Sequence, residues 1–473
     1  MVIEPTDMLP TDAFLRLRDM ERPFILSGGA SLLQRRYSYV GAGPYQRVET
    51  DINGTTQIDG KKTAHGDPFL ALRETMKGIK KDAASPTPFP FSGGAVGYFA
   101  YGLKDLIKEG CDAPELHKDS RKEKSGAGTP GRPLAMIGLY DPIYVYDHKK
   151  EKGFVVWSGN DETKNTFKKI TEKLSQTEAP ARPELSACNY KGRPFYESNI
   201  TRDEYLSTLG RALDYISRGD IYQINISQRL RLTIEEDPFA VYLALLESGA
   251  GRFASFMDCG GFQIISNTPE RLLKVEGSII ETEPIKGTRP RGRTLKADKE
   301  QVKDLRESIK ENAEHLMIVD LERNDLGRVS KPGTVRVSNF QRIESYPTLH
   351  QMVSTVEGVL RGDVEPLMAL RSCFPGGSIT GAPKIRAMEV IEELESCERG
   401  LYTGGLGWID RCGNMDIAMA IRTAIYCDGV LSLSVGGGIV ADSRPEEEYQ
   451  ETLLKAEDFL SILSGNKVKK NVG

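Results

Sequence analysis

No stretch of the chain approaches the ~18 consecutive apolar residues of a membrane-spanning helix. The opening MVIEPTDMLPTDAFLRLRDM carries acidic residues where a secretory signal has a basic patch and an apolar core, so a cytoplasmic location is expected. The 7 cysteines (Cys111, Cys188, Cys259, Cys373, Cys397, Cys412 and Cys427) are odd in number, scattered and never spaced as CxxC. That argues against a disulfide framework and against a cysteine-built zinc site. No GxGxxG stands between a strand and a helix as a dinucleotide fingerprint does, and the Walker loop, HExxH and GxSxG are missing, which removes the best support for nucleotide-binding and hydrolase readings. Neither sign of charge predominates: 63 basic and 67 acidic residues leave a formal net charge of -4. There is no electrostatic footprint for nucleic acid or an anionic membrane, and small molecules or another protein are the expected partners.

What is present fits a large globular chain. With 473 residues and 39% hydrophobic composition, a sizeable core can be built in one very large domain or two ordinary ones. An N-terminal region over 1–175 mixes short β-rich runs (YSYVGAGPY, AVGYFAYGL, IGLYDPIYVYD) with Gly and Pro turns and one polar insert, HKDSRKEKSGAGTPGRP, expected as an exposed loop. A Pro-rich polar connection over 176–198 follows, then a region over 199–465 in which strands joined by hairpin-like turns alternate with grouped helices. This pattern predicts an α+β fold, with large, mostly antiparallel sheets and helices packed around them.

Chemistry concentrates in the last region. A strand is followed by Gly436-Gly437-Gly438 and then by a helix beginning near Pro445. Without Cβ atoms, the backbone N–H groups there can approach an anion closely, which predicts a carboxylate or phosphate cradle. On the helix, Glu448, Glu451 and Lys455 fall in one stripe while Leu454, Phe459 and Leu463 are available for packing. A second acidic helix, KENAEHLMIVDLERND, carries Glu311 and Glu314, with Leu316, Met317 and Val319 as packing candidates. Carboxylates offered by two helices suit Mg²⁺, which takes oxygen ligands and keeps waters. In SITGAPKIRAMEVIEELES, Thr380 is a candidate N-cap and Pro383 a first-turn residue, with Ile385, Met388, Ile391 and Leu394 as the packed face. PIKGTRPRGR crowds Lys286, Arg289, Arg291 and Arg293 together, and crowded cations favour a neutral lysine amine able to attack carbon. Each segment alone also reads as a solvated charged surface.

In chain order, GDIYQINISQR, SNTPERLL, PIKGTRPRG, AEHLMIVDLERNDLGRV, FPGGSITGAPKIRAMEVIEELE, GNMDIAMAIRTA and GGGIVADSRPEEEYQETLLKA resemble the motifs of the chorismate-utilising enzymes. RYSYVGAGP near the N-terminus is similar to the family as well. At Lys286 the anthranilate synthases typically read PIAGT and the para-aminobenzoate branch PIKGT; this chain resembles the second. The isochorismate and salicylate branch has a water-activating lysine where Gln223 stands here, so water attack at C2 is not implied.

The resemblance implies amination of chorismate at C4, with Lys286 attacking C2, Glu270 protonating the departing C4 hydroxyl, and ammonia entering at C4 as lysine leaves. It implies Mg²⁺ on Glu314 and Glu448, with Glu451 and Glu311 as further candidates. Arg422, Lys455 and the Gly437 and Gly438 amides would hold the substrate carboxylates, and Thr380 would donate a further hydrogen bond. No cysteine-centred glutaminase elbow is present, so ammonia is expected from a separate glutamine amidotransferase subunit. The alternatives are an anthranilate synthase large subunit, an isochorismate or salicylate synthase, or a non-catalytic chorismate-binding protein. Relatives often have HLVST where this chain has QMVST, placing Gln351 at the family histidine and His350 one residue early. FILSGGASLL departs from the LLES-like segment of tryptophan-regulated relatives, which argues against feedback by tryptophan.

Overall fold

A computed structural model describes residues 1–29, 35–64, 66–77, 88–107, 131–178, 180–185, 196–249, 251–346 and 349–464. Most of the polar insert, residue 179 and residues 186–195 of the connecting segment, and part of FILSGGASLL lie outside the described residues.

Among the described residues two 12-stranded sheets dominate. The first runs from Val2–Thr6 through Lys152–Trp157, Ile143–Asp147, Tyr37–Gly41, Phe24–Leu26, Ser255–Asp258, Gln263–Ser266, Thr423–Cys427, Val430–Ile439 and Gln223–Thr233 to Glu197–Ser198. The second runs from Ile285–Pro290 through Leu349–Val359, Ile279–Glu283, Arg271–Glu276, Met415–Met419, Gly405–Asp410, Gly94–Phe99, Ala135–Tyr140 and Gln46–Thr50 to a short hairpin. Pairing is antiparallel across both, as the hairpin-rich text predicts. The two sequence regions share both sheets: Phe24–Leu26 pairs with Ser255–Asp258, and Gly94–Phe99 with Gly405–Asp410.

The layers follow from side-chain alternation. Phe24, Leu26 and Ile264 of the first sheet and Val96, Tyr98 and Trp408 of the second pack into one core between them. The outer face of the first sheet is covered by helices contributing Phe14, Tyr242 and Phe459, and that of the second by helices contributing Phe69, Val319 and Leu370. Among the described residues no helix is long and apolar enough to cross a membrane.

Three helix faces differ from the expected ones. The helix over Lys384–Leu394 starts after Pro383, which occupies the N-cap position itself, so Thr380 is not the cap. Its buried stripe is Ala387, Val390, Ile391 and Leu394, and Ile385 is 71% exposed. On Ile309–Gly327, Leu316 is exposed while His315, Ile318, Val319, Glu322, Asp325 and Leu326 are buried. On Pro445–Leu463, Phe459 and Leu463 are buried as expected, whereas Leu454 is exposed. In each helix, apolar residues on more than one face leave the phase of the stripe open until neighbours choose it.

The second sheet carries a buried ionic cluster. The Arg271 guanidinium pairs with Asp416 at 3.0 Å, Glu281 at 2.6 Å and Glu283, and Arg35 pairs with the same Asp416 at 3.1 Å. Burial alone would raise the Asp416 carboxyl, but Arg271 and Arg35 outweigh it and hold it down to about 2. Removing one member of such a cluster strands the others in low dielectric. Asp416→Ala is therefore expected to cost about 3–5 kcal/mol, read as a lower denaturant midpoint; an unchanged midpoint would contradict a structural role for the cluster.

Candidate functional site

The site forms where the strand Val430–Ile439 outruns one of its neighbours. Thr423–Cys427 pairs with it only as far as Ala424↔Leu433, whereas Gln223–Thr233 stays paired out to Ile224↔Ile439. Residues beyond Leu433 therefore have one bonded edge and one open edge. Asn225 and Ser227 turn their amides away from this strand, to the Thr380 carbonyl and to Glu395 Oε1, each at 2.9 Å. In an antiparallel ladder this alternation makes Ile226 and Gly437 the mutually bonded pair and turns the amides of Gly436 and Gly438 to the open edge. The expected glycine cradle thus lies inside a strand rather than in a loop. Gly437 belongs to the ladder; Gly438 faces the gap.

These glycines make room for side chains. A Cβ on residue 438 would sit 3.0 Å from both Lys286 Nζ and Gln223 Nε2, and one on residue 436 would meet the Tyr402 hydroxyl at 2.7 Å. Gln223 is fully buried, and neither end of its carboxamide has a hydrogen-bond partner among the described residues. Such a pair of orphaned polar atoms has the capacity to bind a polar group of a ligand.

Lys286 arrives from Ile285–Pro290, an edge strand of the second sheet. A bulge between Lys286 and Thr288 interrupts its register with Leu349–Val359, and Gly287 there has φ +77°, a conformation glycine adopts without strain. Crowding by like charges is not what surrounds Lys286. Arg289 is bound to Asp304 at 2.6 Å and Glu311 at 3.1 Å, Arg291 is bound to both oxygens of Asp298 at 2.8 and 2.9 Å, and Arg293 is exposed. The groups that act electrostatically with Lys286 include the carboxyls of Glu270, Glu314 and Glu451. The basic turn is thus neutralised on its outer side, and Lys286 alone turns inward.

Glu270 is buried beside the start of Arg271–Glu276. Burial pushes its carboxyl up to about 7, against the lowering effect of the Ser378 hydroxyl and of Lys286 and Lys455. Ser378 Oγ donates to Glu270 Oε1 at 2.7 Å. With Oε1 accepting from Ser378, a protonated Glu270 carries its hydrogen on the other oxygen; the Ile285 amide also acts on this carboxyl and lowers it.

The acidic helices face each other with a lysine between them. Lys310 Nζ lies 3.9 Å from Glu314 Oε1 and 3.6 Å from Glu448 Oε1. Glu448 is almost fully buried and accepts from Ser443 Oγ at 2.7 Å. Burial raises the Glu314 carboxyl, Lys286 and Lys310 lower it, and the neighbouring Glu311 and Glu448 raise it further. Among the described residues no group of three or more His, Cys, Asp or Glu side chains is placed to hold a metal ion. Even so, two oxygen donors from separate helices converging on one cation suit a hard divalent ion that keeps several waters. Glu451 pairs with Lys455 at 2.7 Å, and Lys455 Nζ donates to the Gly436 carbonyl at 3.0 Å. Arg422 pairs with Asp458 at 3.1 Å, beside the same helix.

The hydroxyl of Thr380 donates to the Gly376 and Gly377 carbonyls at 3.1 and 3.2 Å, so it is engaged locally rather than as the expected donor to a ligand. His350 is held by Ser345 Oγ at 2.8 Å and Asp298 at 2.9 Å. Adjacent residues of a strand face oppositely, which puts Gln351 on the other side from His350. Sequence reasoning passed over Ser378, Lys310 and Glu322. A signal for Glu322 existed: residues 311, 315, 318, 322 and 325 form one helical stripe mixing polar and apolar residues.

The chain matches the chorismate binding enzyme family over residues 23–461. It is 38% identical to anthranilate synthase component 1 of Acetivibrio thermocellus, covering 96% of this chain and 92% of that protein. It is 35% identical to aminodeoxychorismate synthase component 1 of Salmonella typhimurium, covering 92% of each. The crystal structure of anthranilate synthase component I from Streptococcus pneumoniae superposes with a TM-score of 0.77 at 30% identity, covering 97% of this chain and 99% of that one. Sequence blocks, paired antiparallel sheets and the cleft at Gly438 lead to one conclusion: this chain belongs to the chorismate-binding enzyme family and is a chorismate-utilising enzyme.

Proposed function

We propose that the chain aminates chorismate at C4 to give 4-amino-4-deoxychorismate, a step toward para-aminobenzoate. The observation that carries this reading is Lys286, a primary amine turned into the cleft over Gly438 and without a hydrogen-bond or ion-pair partner among the described residues. Relatives of both kinds match at similar identity, so overall similarity does not choose between them.

In this reading Lys286, as the amine, forms a C–N bond at C2. The ring double bond shifts, and the C4 hydroxyl leaves as water with the proton of Glu270. Ammonia then adds at C4, the double bond returns, and lysine departs as the free amine. Arg422, Lys455 and the Gly438 amide bind the substrate carboxylates, and Gln223 supplies hydrogen bonds through its buried carboxamide. Glu314 and Glu448, with Glu451 and Glu311 near them, hold Mg²⁺. When bound there, the ion supplies positive charge for the ring carboxylate. Ammonia comes from a glutamine amidotransferase subunit in a heterodimer, with the complex in the cytoplasm.

Purified chain incubated with chorismate, Mg²⁺ and ammonium is expected to yield aminodeoxychorismate by mass and ultraviolet spectrum. Anthranilate with pyruvate, isochorismate, or binding without turnover would each overturn the reading. Lys286→Met should lower kcat by about 10³-fold or more, and a substrate adduct trapped on another lysine would remove Lys286 from this role. Because Glu270 acts in its protonated form and its carboxyl sits at about 7, turnover per unit of free NH₃ should fall as pH rises through that value. Glu270→Gln should lose about 10²–10⁴-fold; a parent-like rate would exclude Glu270 as the acid. Chelation should abolish turnover and Mg²⁺ restore it, and full activity in excess chelator would rule out a metal requirement.

A further inference from the structure

Behind Glu270 lies a second buried carboxyl that this chemistry leaves unused. Glu322, on Ile309–Gly327, is 5% exposed, as is Glu270. Its Oε1 accepts from the Ser378 amide at 3.2 Å, while the hydroxyl of the same serine donates to Glu270 Oε1 at 2.7 Å. One residue therefore bridges two acids through two different donors. The approach depends on Gly377, where a Cβ would stand 3.1 Å from Glu322 Oε1.

The surrounding charges do not neutralise Glu322 directly. Lys384 is paired with Asp325, one helical turn beyond, and Arg328 also acts on Asp325. Lys286 and Lys455 act on Glu270. Glu322 faces Asp325, Lys384 and Glu270 itself, and burial is the foremost cause that pushes its carboxyl up. Two carboxylates enclosed around a single serine cannot both ionise cheaply, so loss of a proton by one strengthens the hold of the other.

We propose that Glu270 and Glu322 form a proton-sharing pair across Ser378, with Glu322 the positioning residue that keeps a proton available to Glu270 at alkaline pH. As pH rises, one proton leaves to solvent and the remaining one is distributed over both carboxyls, so the acid form of Glu270 declines in two stages. Ser378 fixes the geometry by occupying Glu270 Oε1, which leaves the opposite oxygen to carry the transferable proton.

The inference rests on Glu270 serving as the general acid, and the test separates the two. kcat/KM for chorismate, expressed per free NH₃, is measured for the parent, Glu322→Gln and Glu322→Asp from about pH 6.5 to about pH 8.5. The ratio of parent to Glu322→Gln should grow by about threefold or more across that range, because glutamine cannot take up the charge that strengthens Glu270. Glu322→Asp, which keeps a carboxyl, should hold a flatter ratio. A ratio for Glu322→Gln that stays constant overturns the proposal, since a purely structural defect scales all pH values alike. An active Glu270→Gln overturns the general-acid reading; a constant ratio with inactive Glu270→Gln overturns proton sharing alone. Infrared titration of the protonated-carboxyl band reads the pair without turnover. Two coupled steps in the parent, reduced to an earlier single step in Glu322→Gln, support it, and an unshifted remaining step overturns it.

Discussion

The cleft depends on the missing side chains of Gly436 and Gly438. A central strand ordinarily presents a Cβ to each face, and here that would place carbon 3.0 Å from Lys286 Nζ and 2.7 Å from the Tyr402 hydroxyl. Their absence brings groups from both sheets and from the last helix to one backbone stretch. Because the neighbouring strand has already ended at Leu433, the same stretch also offers unpaired amides. A strand normally buries its polar backbone in the ladder; this one leaves part of it outside, with the Gly436 carbonyl taken by Lys455.

Around that strand the chain keeps two electrostatic environments apart. On the Ser378 side, burial dominates and Glu270 retains its proton near neutrality. On the side of the facing helices, the carboxyls of Glu448 and Glu314 lie near Lys310, and the Glu451 carboxyl is lowered chiefly by Lys455. Burial raises the Glu314 carboxyl as well, so the contrast that environment draws is between Glu270 and Glu451. Lys286 sits between the two environments, close enough to act on members of both.

The fold class was legible because hairpin-like runs separated by Gly and Pro turns report local antiparallel pairing, as in Arg271–Glu276 and Ile279–Glu283. That Gly94–Phe99 pairs with Gly405–Asp410 was not legible, since periodicity carries no information about distant partners. Lys286, Glu270 and the acidic helices could be named from motif blocks. Their setting could not: Arg289 and Arg291 read as cations crowding Lys286 until their carboxylate partners were located. Leu316, Leu454 and Ile385 looked like core because apolar residues usually are. In the helix over Ile309–Gly327 the inward positions are shared by Ile318, Val319 and Leu326 with His315, Glu322 and Asp325, buried polar groups that hydropathy assigns to solvent.

The sharing of both sheets by early and late strands has a kinetic consequence. Phe24–Leu26 waits for Ser255–Asp258, and Gly94–Phe99 waits for Gly405–Asp410, so neither sheet can close while the polypeptide is still short. Closing such long loops is entropically expensive before any contact rewards it. Until the late strands emerge from the ribosome, the early ones expose unpaired, apolar edges to the cell. Synthesis of this chain therefore passes through an interval in which those edges have no native partner.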